Sequence, residues 1–230
     1  MKTDSFSNYL PFNSSQTTLH VPYLAQDLNG ASIKAISREL DNLPQHKIAA
    51  HPWPEFAYQP EVNFSIAHHL TCIYLKYYVT EEFVRIDNFY PNDPVYQDSC
   101  VEFFISFNAE AAYYNLEFNA LGICRAGYGP DRENRQLLHP EQLSFIQTAT
   151  TLTRLDSSNQ QNFHWQLTLV IPVVVFSQHQ ISSLQGMQAR ANFYKCGDEL
   201  PKPHFLSWNN VVASQPNFHL PAFFGNLVFE

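Results

Sequence analysis

Short segments that alternate between two kinds of residue recur along most of the chain. In "CVEFFISFN", Val101 and Phe103 fall on one face of an extended segment, and Glu102 and Ser106 fall on the other. Alternation with a period of two is typical of a strand that has one buried and one polar face. Segments of this kind follow one another from about residue 61 to the terminal "FFGNLVFE". Their order predicts an antiparallel β-sandwich.

The length of 230 residues is sufficient for one sandwich with a full core. We therefore expect a single all-β, jelly-roll-like domain over residues 1–230. One short helix is predicted in "ASIKAISRELDNLP", where Ile33, Ile36 and Leu40 have helical spacing before a proline. The remainder of residues 1–60 is expected to be irregular and to pack on the sandwich. Long edge loops, where binding sites commonly lie, are predicted at residues 87–99, 128–144 and 196–222.

Charge and hydropathy exclude several classes of partner. The formal net charge of −8 argues against binding to nucleic acid through its phosphates. No segment reaches the roughly 20 apolar residues that a membrane-spanning helix needs, so no membrane span is expected. The first residues contain no apolar signal-peptide core, which predicts a cytoplasmic protein unless a leader was removed. The oligomeric state is left open.

The four cysteines are far apart in the chain and include no CxxC pair. Close-set pairs are the usual signature of a structural zinc site. We therefore expect buried free thiols, since unpaired cysteine behaves as a small apolar residue. The four residues are Cys72, Cys100, Cys124 and Cys196.

Polar side chains occupy the second face of several predicted strands. If these strands are neighbours, side chains on the same face lie about 5 Å apart. A patch of carboxylates, amides, a guanidinium and phenols suits sugar hydroxyls, and aromatic rings suit the apolar face of a pyranose. A solvated sheet face is the alternative. The candidate polar residues are Glu102, Glu117, Asn119, Arg190 and Asn192, and the candidate aromatic residues are Tyr90, Tyr96, Tyr194 and Trp208.

Four segments together resemble a known family. "DPVYQDSCVEFFISF", "YYNLEFNALG", "ANFYKCGDELPKPHFLSWN" and "FFGNLVF" are similar to the family 9 carbohydrate-binding modules, and more closely to stand-alone bacterial proteins of that type. The resemblance extends from about residue 60 to the end of the chain. It implies a non-catalytic β-sandwich that binds an oligo- or polysaccharide between two aromatic rings, often at a chain end.

The resemblance also suggests roles for particular residues. Trp208 in "LSWN" is similar to one stacking ring, and Tyr96 or Tyr90 stands where related modules have the second ring, a tryptophan. The carboxylates and amides named above would bind hydroxyls, with Arg85 and Asp98 at the rim of the site.

Structural calcium is common in the family, which leaves a metal open although no other cofactor is expected. No dense acidic loop stands out in the sequence. The three acidic residues nearest the predicted site are spread along one segment: Asp87, Asp93 and Asp98.

Three other functions remain open at this point. A glycoside hydrolase would use Glu102 and Glu117 as paired carboxyl groups, which in retaining enzymes lie about 5–5.5 Å apart. Arg125 and Arg190 on nearby strands would instead keep both carboxylates ionised. A haem-binding sandwich would need two histidine ligands. A protein-interaction module would use an exposed aromatic patch.

Overall fold

The computed structural model describes residues 16–24, 30–108, 110–157 and 160–230. Its strands form two sheets that pack face to face, and the all-β sandwich predicted from the alternation is confirmed. The segment "DSSNQQN" is predicted to be a polar turn from its composition, and residues 158 and 159 within it lie outside the described residues.

The larger sheet has the strand order β1-β13-β11-β5-β6-β7-β8, with the short β12 also paired to β11. Among these strands the pairing is antiparallel, except that β1 runs parallel to β13. The members of this sheet are β1 (Thr18–Val21), β5 (Cys100–Phe107), β6 (Tyr113–Asn119), β7 (Cys124–Gly129), β8 (Gln136–Leu137), β11 (Gln188–Cys196), β12 (Phe205–Ser207) and β13 (Gly225–Phe229).

The smaller sheet is antiparallel and has the order β2-β3-β4-β10-β9. Its members are β2 (His46–Lys47), β3 (Glu61–His69), β4 (Cys72–Glu81), β9 (Gln147–Ser157) and β10 (Gln160–Pro172).

Aromatic side chains from both sheets meet in the core. The ring of Phe193 on β11 stacks on Phe64 of the smaller sheet at a centroid distance of 3.8 Å and on Phe103 of β5 at 5.1 Å. Phe103 occupies the face that the alternation assigns to the core, and all three side chains are buried. Burying each large side chain contributes about 1.5–3 kcal/mol, so this stack is a main source of adhesion between the sheets.

The predicted helix is present as α1 (Ile33–Asp41). It begins after Ser32, whose hydroxyl oxygen accepts a hydrogen bond from the amide of Ala35, as a helix N-cap does. Ile36 and Leu40 are buried against the outer face of the smaller sheet. The described helices include none long and apolar enough to cross a membrane.

The N-terminal 60 residues are more regular than expected, because they contribute β1 and β2 as well as the helix. Both strands are too short for their periodicity to stand out in the sequence. A second short helix, α2 (Pro140–Leu143), lies in one of the predicted edge loops and begins with a proline after His139.

Candidate functional site

The outer face of the larger sheet is covered by loops and does not face solvent. Phe104 on β5 and Tyr194 on β11 point to this face and contact Phe218 and Phe224 of the long loop before β13. The covered face therefore holds a second apolar cluster. Its buried members are Trp53, Val95, Cys100, Phe104, Tyr113, Tyr194, Cys196, Val211, Phe218 and Phe224.

A cavity opens within this cover, above β5, β6 and the end of β11. Its volume is about 70 Å³, enough for a few ordered waters or one small polar group. Three aromatic residues line it: Tyr96, Phe205 and Phe218. The acidic and basic side chains of its wall are Glu102, Glu117, Arg132, Arg135, Asp198 and His219.

The cavity continues into an open surface groove of about 540 Å³. The two spaces share Arg132, Pro216, Asn217 and His219. The loop segments 131–134 and 213–217 line the groove. A small, polar, partly aromatic cavity therefore connects with a longer groove on the surface.

Two carboxyl groups form the floor of the cavity. Glu102 on β5 and Glu117 on β6 are directly opposite each other in the strand register, and both are buried. Burial raises the pKa of Glu102, and the neighbouring Glu117 raises it further. Burial also raises the pKa of Glu117, against the opposing effect of Arg135. Asn115 donates a hydrogen bond of 2.8 Å to Glu117 Oε1.

The opposite wall of the cavity is cationic. Arg135 Nη2 lies 3.6 Å from Glu117 Oε1, and Arg135 Nη1 lies 2.6 Å from His219 Nε2. Burial and the nearby arginine lower the pKa of His219 to about 3, so its ring is neutral and accepts the hydrogen bond from Arg135. Burial raises the pKa of Asp198 to about 6, with Arg132 opposing the shift.

Three of the predicted site residues line the cavity: Tyr96, Glu102 and Glu117. The other predicted site residues lie outside the cavity, and most of them form hydrogen bonds or ion pairs with loop segments. Tyr90, the alternative to Tyr96, is 73% exposed and does not line the cavity.

Hydrogen bonds of Asn119 and Asp98 connect the end of β6 to the loop that precedes β5. Asn119 Nδ2 donates hydrogen bonds to Asp98 Oδ2 and to the carbonyl of Asn88. Asp98 also accepts hydrogen bonds from the amides of Asp87 and Asn88. Arg85 pairs with Asp87 and Asp98 at 3.0 and 3.8 Å. Asp98 and Asn119 are therefore hydrogen-bonded within the protein, whereas Arg85 Nε is buried and has no hydrogen-bond partner among the described residues.

The polar residues of β11 hold the long loop that follows it. Asn192 binds both main-chain groups of Asn209, with its Nδ2 donating to the carbonyl and its Oδ1 accepting from the amide. Arg190 donates to main-chain carbonyl groups before β13. The Tyr194 hydroxyl donates to the carbonyl of Phe218, and the two rings stack at 4.1 Å. None of these three lines the cavity.

Trp208 lies on the other side of the larger sheet from Glu117. Its amide donates to the carbonyl of Phe193, and its partly buried ring contacts Phe193 and Phe64 at 5.6 and 6.2 Å at the edge of the core between the sheets. A Cβ placed on Gly225 would be 2.7 Å from the ring. The expectation that Trp208 and Glu117 share one hollow is therefore not met, because the partly buried indole packs against the core face of the sheet and Glu117 lies on the outer face.

The acidic residues considered for calcium do not form a cation site. Asp93 Oδ2 accepts hydrogen bonds from the amides of Phe89 and Tyr90, Asp98 accepts from backbone amides as described, and Asp87 pairs with Arg85. Calcium needs six to eight converging oxygen ligands. Carboxylates already engaged by amides and a guanidinium do not fit that requirement.

Apart from Tyr96, the loop residues of the cavity are not among the sugar-binding residues that the sequence predicts. Arg132 and Arg135 come from the loop between β7 and β8, and Asp198, Phe205 and His219 come from the segments after β11. The only signal for them is that both loops are long and rich in polar or aromatic residues.

Comparisons with known proteins consistently match carbohydrate-binding proteins. A family model described as carbohydrate-binding family 9 matches residues 34–229. A solved structure of a candidate carbohydrate-binding protein from Bacteroides uniformis is 36% identical, covers 94% of this chain and 100% of its own, and has a TM-score of 0.84. A search of curated proteins finds no match.

Two more distant structures share the fold. Both are family 9 carbohydrate-binding modules from Caldicellulosiruptor kristjanssonii, one in complex with glucose and one with cellotriose. They are 12% and 11% identical to this chain, with TM-scores of 0.63 and 0.57. Each comparison covers 93% of this chain and, respectively, 96% and 94% of the other.

Proposed function

The chain belongs to carbohydrate-binding family 9, and from that premise we propose that it binds carbohydrate non-covalently and catalyses no reaction on it. The resemblance noted in the sequence is thereby confirmed at the level of the family. The binding site that we propose is the cavity over β5 and β6 together with the groove that continues from it.

The observation that carries this proposal is the combination of buried polar groups and aromatic rings in one cavity. Glu117 Oε2 is buried and has no hydrogen-bond partner among the described residues, so a ligand hydroxyl would satisfy it. Arg132 and Asp198 offer a donor and an acceptor on the same wall. Tyr96 and Phe205 supply apolar surface for the C–H groups of a sugar ring.

The size of the two spaces suggests how a chain would bind. A cavity of about 70 Å³ accepts part of one terminal sugar, such as a hydroxymethyl group or one ring edge. The adjoining groove of about 540 Å³ has room for further units. Glucose and cellotriose, the ligands of two related modules, are therefore the first compounds to test, and the longer one should bind more tightly.

Calorimetric titration with both sugars tests the proposal, using Tyr96→Ala and the matched control Tyr90→Ala. One lost aromatic contact of roughly 1 kcal/mol lowers affinity about fivefold. We expect this loss for Tyr96→Ala and none for Tyr90→Ala. The site is contradicted if the two variants lose affinity equally, and the function is contradicted if no sugar on a broad glycan array binds.

A further inference from the structure

The pairing of β5 with β11 brings together two cysteines that are far apart in the chain. Cys100 and Cys196 are directly opposite each other in the register, and Glu102 is two residues along β5 from Cys100. All three side chains lie on the outer face and are buried. Their two sulfur atoms and a carboxylate oxygen all lie within 4.8 Å of one another.

The Cys196 thiol has more hydrogen-bond acceptors around it than it can satisfy. Its Sγ lies 3.2 Å from Glu102 Oε1 and 3.7 Å from the carbonyl oxygen of Tyr96. The Asp198 carboxylate and the Cys100 sulfur are further hydrogen-bonding neighbours of the same thiol. A thiol carries one proton and is a weak donor, so the Cys196 proton can pair with one of the several lone-pair groups that converge on it.

The cation that acts on Glu102 from the covered face is Arg135, and its guanidinium is already engaged by Glu117 and His219. Lys195, the residue before Cys196, points to the opposite face of the strand, where it pairs with Glu81 at 3.0 Å. Glu102 likewise has a thiol as its hydrogen-bond partner. Convergent sulfur and oxygen lone pairs of this kind match the ligand preferences of a zinc-like transition-metal ion.

We propose that Cys100, Cys196 and Glu102 form a binding site for a divalent transition-metal ion of the zinc type. Two thiolates and one carboxylate supply three positions of a tetrahedron. Asp198 or a ligand oxygen supplies the fourth, because Cys196, Glu102 and Asp198 also line the cavity. Binding releases the thiol protons to solvent, as thiolate ligation requires.

Cobalt(II) titration of the reduced, full-length protein tests this site without any sugar. Co²⁺ is the probe, because thiolate ligation gives a charge-transfer band in the near ultraviolet and tetrahedral geometry gives intense visible bands. We expect saturation at one equivalent and displacement by Zn²⁺. Cys100→Ala and Cys196→Ala should each lower the affinity roughly 100-fold or more, since even outer-shell partners are worth 10–100-fold.

Cys72→Ala is the matched control, because that half-buried thiol lies on the smaller sheet, away from the cluster. It should leave both the band and the stoichiometry unchanged. The proposal is overturned by absence of the charge-transfer band, by its persistence in both cluster variants, or by its loss in the control. A Cys100–Cys196 disulfide that persists under thiol reductant in the native protein would also overturn it. Sugar binding is measured separately, so either proposal can fail alone.

Discussion

Lys195 and Glu81 form a buried ion pair that joins the two sheets, with 3.0 Å between Lys195 Nζ and Glu81 Oε2. The first residue lies on β11 of the larger sheet and the second at the end of β4 in the smaller one. Trp165 donates to Glu81 Oε1 at 2.7 Å, and Lys195 Nζ lies 2.8 Å from His204 Nε2. The pair is thus held by further hydrogen bonds, which a buried charge requires.

Removing one member of this pair should lower the free energy of unfolding more than removing both members. Lys195→Met leaves the Glu81 carboxylate buried without its counter-charge, so the free energy of unfolding should fall by about 3–5 kcal/mol. The double variant Lys195→Met with Glu81→Gln should recover most of that loss. Urea denaturation measures both values, and equal destabilisation of the single and double variants would contradict the interpretation.

Substitution of Trp208 distinguishes a role in packing against the core from a role in stacking on a bound sugar. Because its ring contacts Phe64 and Phe193 between the sheets, Trp208→Leu should lower the free energy of unfolding by about 2 kcal/mol. Affinity for cellotriose should be unchanged in the variant wherever it remains folded. A tenfold loss of affinity for cellotriose with an unchanged free energy of unfolding would show instead that Trp208 contacts the ligand.

His219 should make stability depend on pH in the acidic range. The ring takes up a proton below its ordinary pKa of 6.5 in the unfolded chain, but only below about 3 in the folded protein. The unfolded state therefore binds more protons between these values, and stability falls as the pH decreases through them. The fall reaches up to about 1.4 kcal/mol per pH unit.

The variant His219→Gln should flatten this part of the pH profile, measured as the free energy of unfolding between pH 7 and pH 4. The charged groups around the ring are Arg125, Arg132, Arg135 and Asp131. Because the arginines keep their charge throughout this range, the change in slope reports the histidine. An unchanged slope in the variant would show that the pKa of His219 is not lowered in the folded state.

The paired carboxyl groups should not hydrolyse glycosides. Glu117 Oε1 is engaged by Asn115, and Glu102 Oε1 accepts from Cys196, so both groups have partners inside the protein. Hydrolysis needs a carboxylic acid and a carboxylate on either side of the scissile bond, and a cavity of about 70 Å³ does not enclose two sugar rings. We expect no nitrophenol release from nitrophenyl glycosides. Release by the wild type that Glu102→Gln abolishes would establish an enzyme.

The strands and the assignment of their faces could be predicted from the sequence because period-two alternation is a local property. That rule assigns Glu102 and Glu117 each to the polar face of its own strand, and the register of the two strands puts them directly opposite. The rule says nothing about what covers a face. The polar residues Arg190 and Asn192 looked suited to a ligand, whereas they bind main-chain groups of a loop.

The features that the sequence could not predict arise from contacts between distant parts of the chain. Trp208 follows a strand of three residues, too short for alternation to show which face its ring takes. Cys100 and Cys196 are brought together by strand register, which no local spacing reveals. Arg135 reaches the cavity because its loop lies against β7, where a Cβ on Gly129 would be 2.5 Å from Arg135 Cα.

The anchoring of Asn209 by Asn192 has a practical consequence for protein engineering. Since one strand side chain holds the loop at its base through main-chain groups alone, the exposed side chains beyond that anchor can vary without loss of this attachment. Libraries that randomise positions 214–216 while retaining Asn192, Phe218 and His219 would alter the groove and leave the buried contacts of the loop intact.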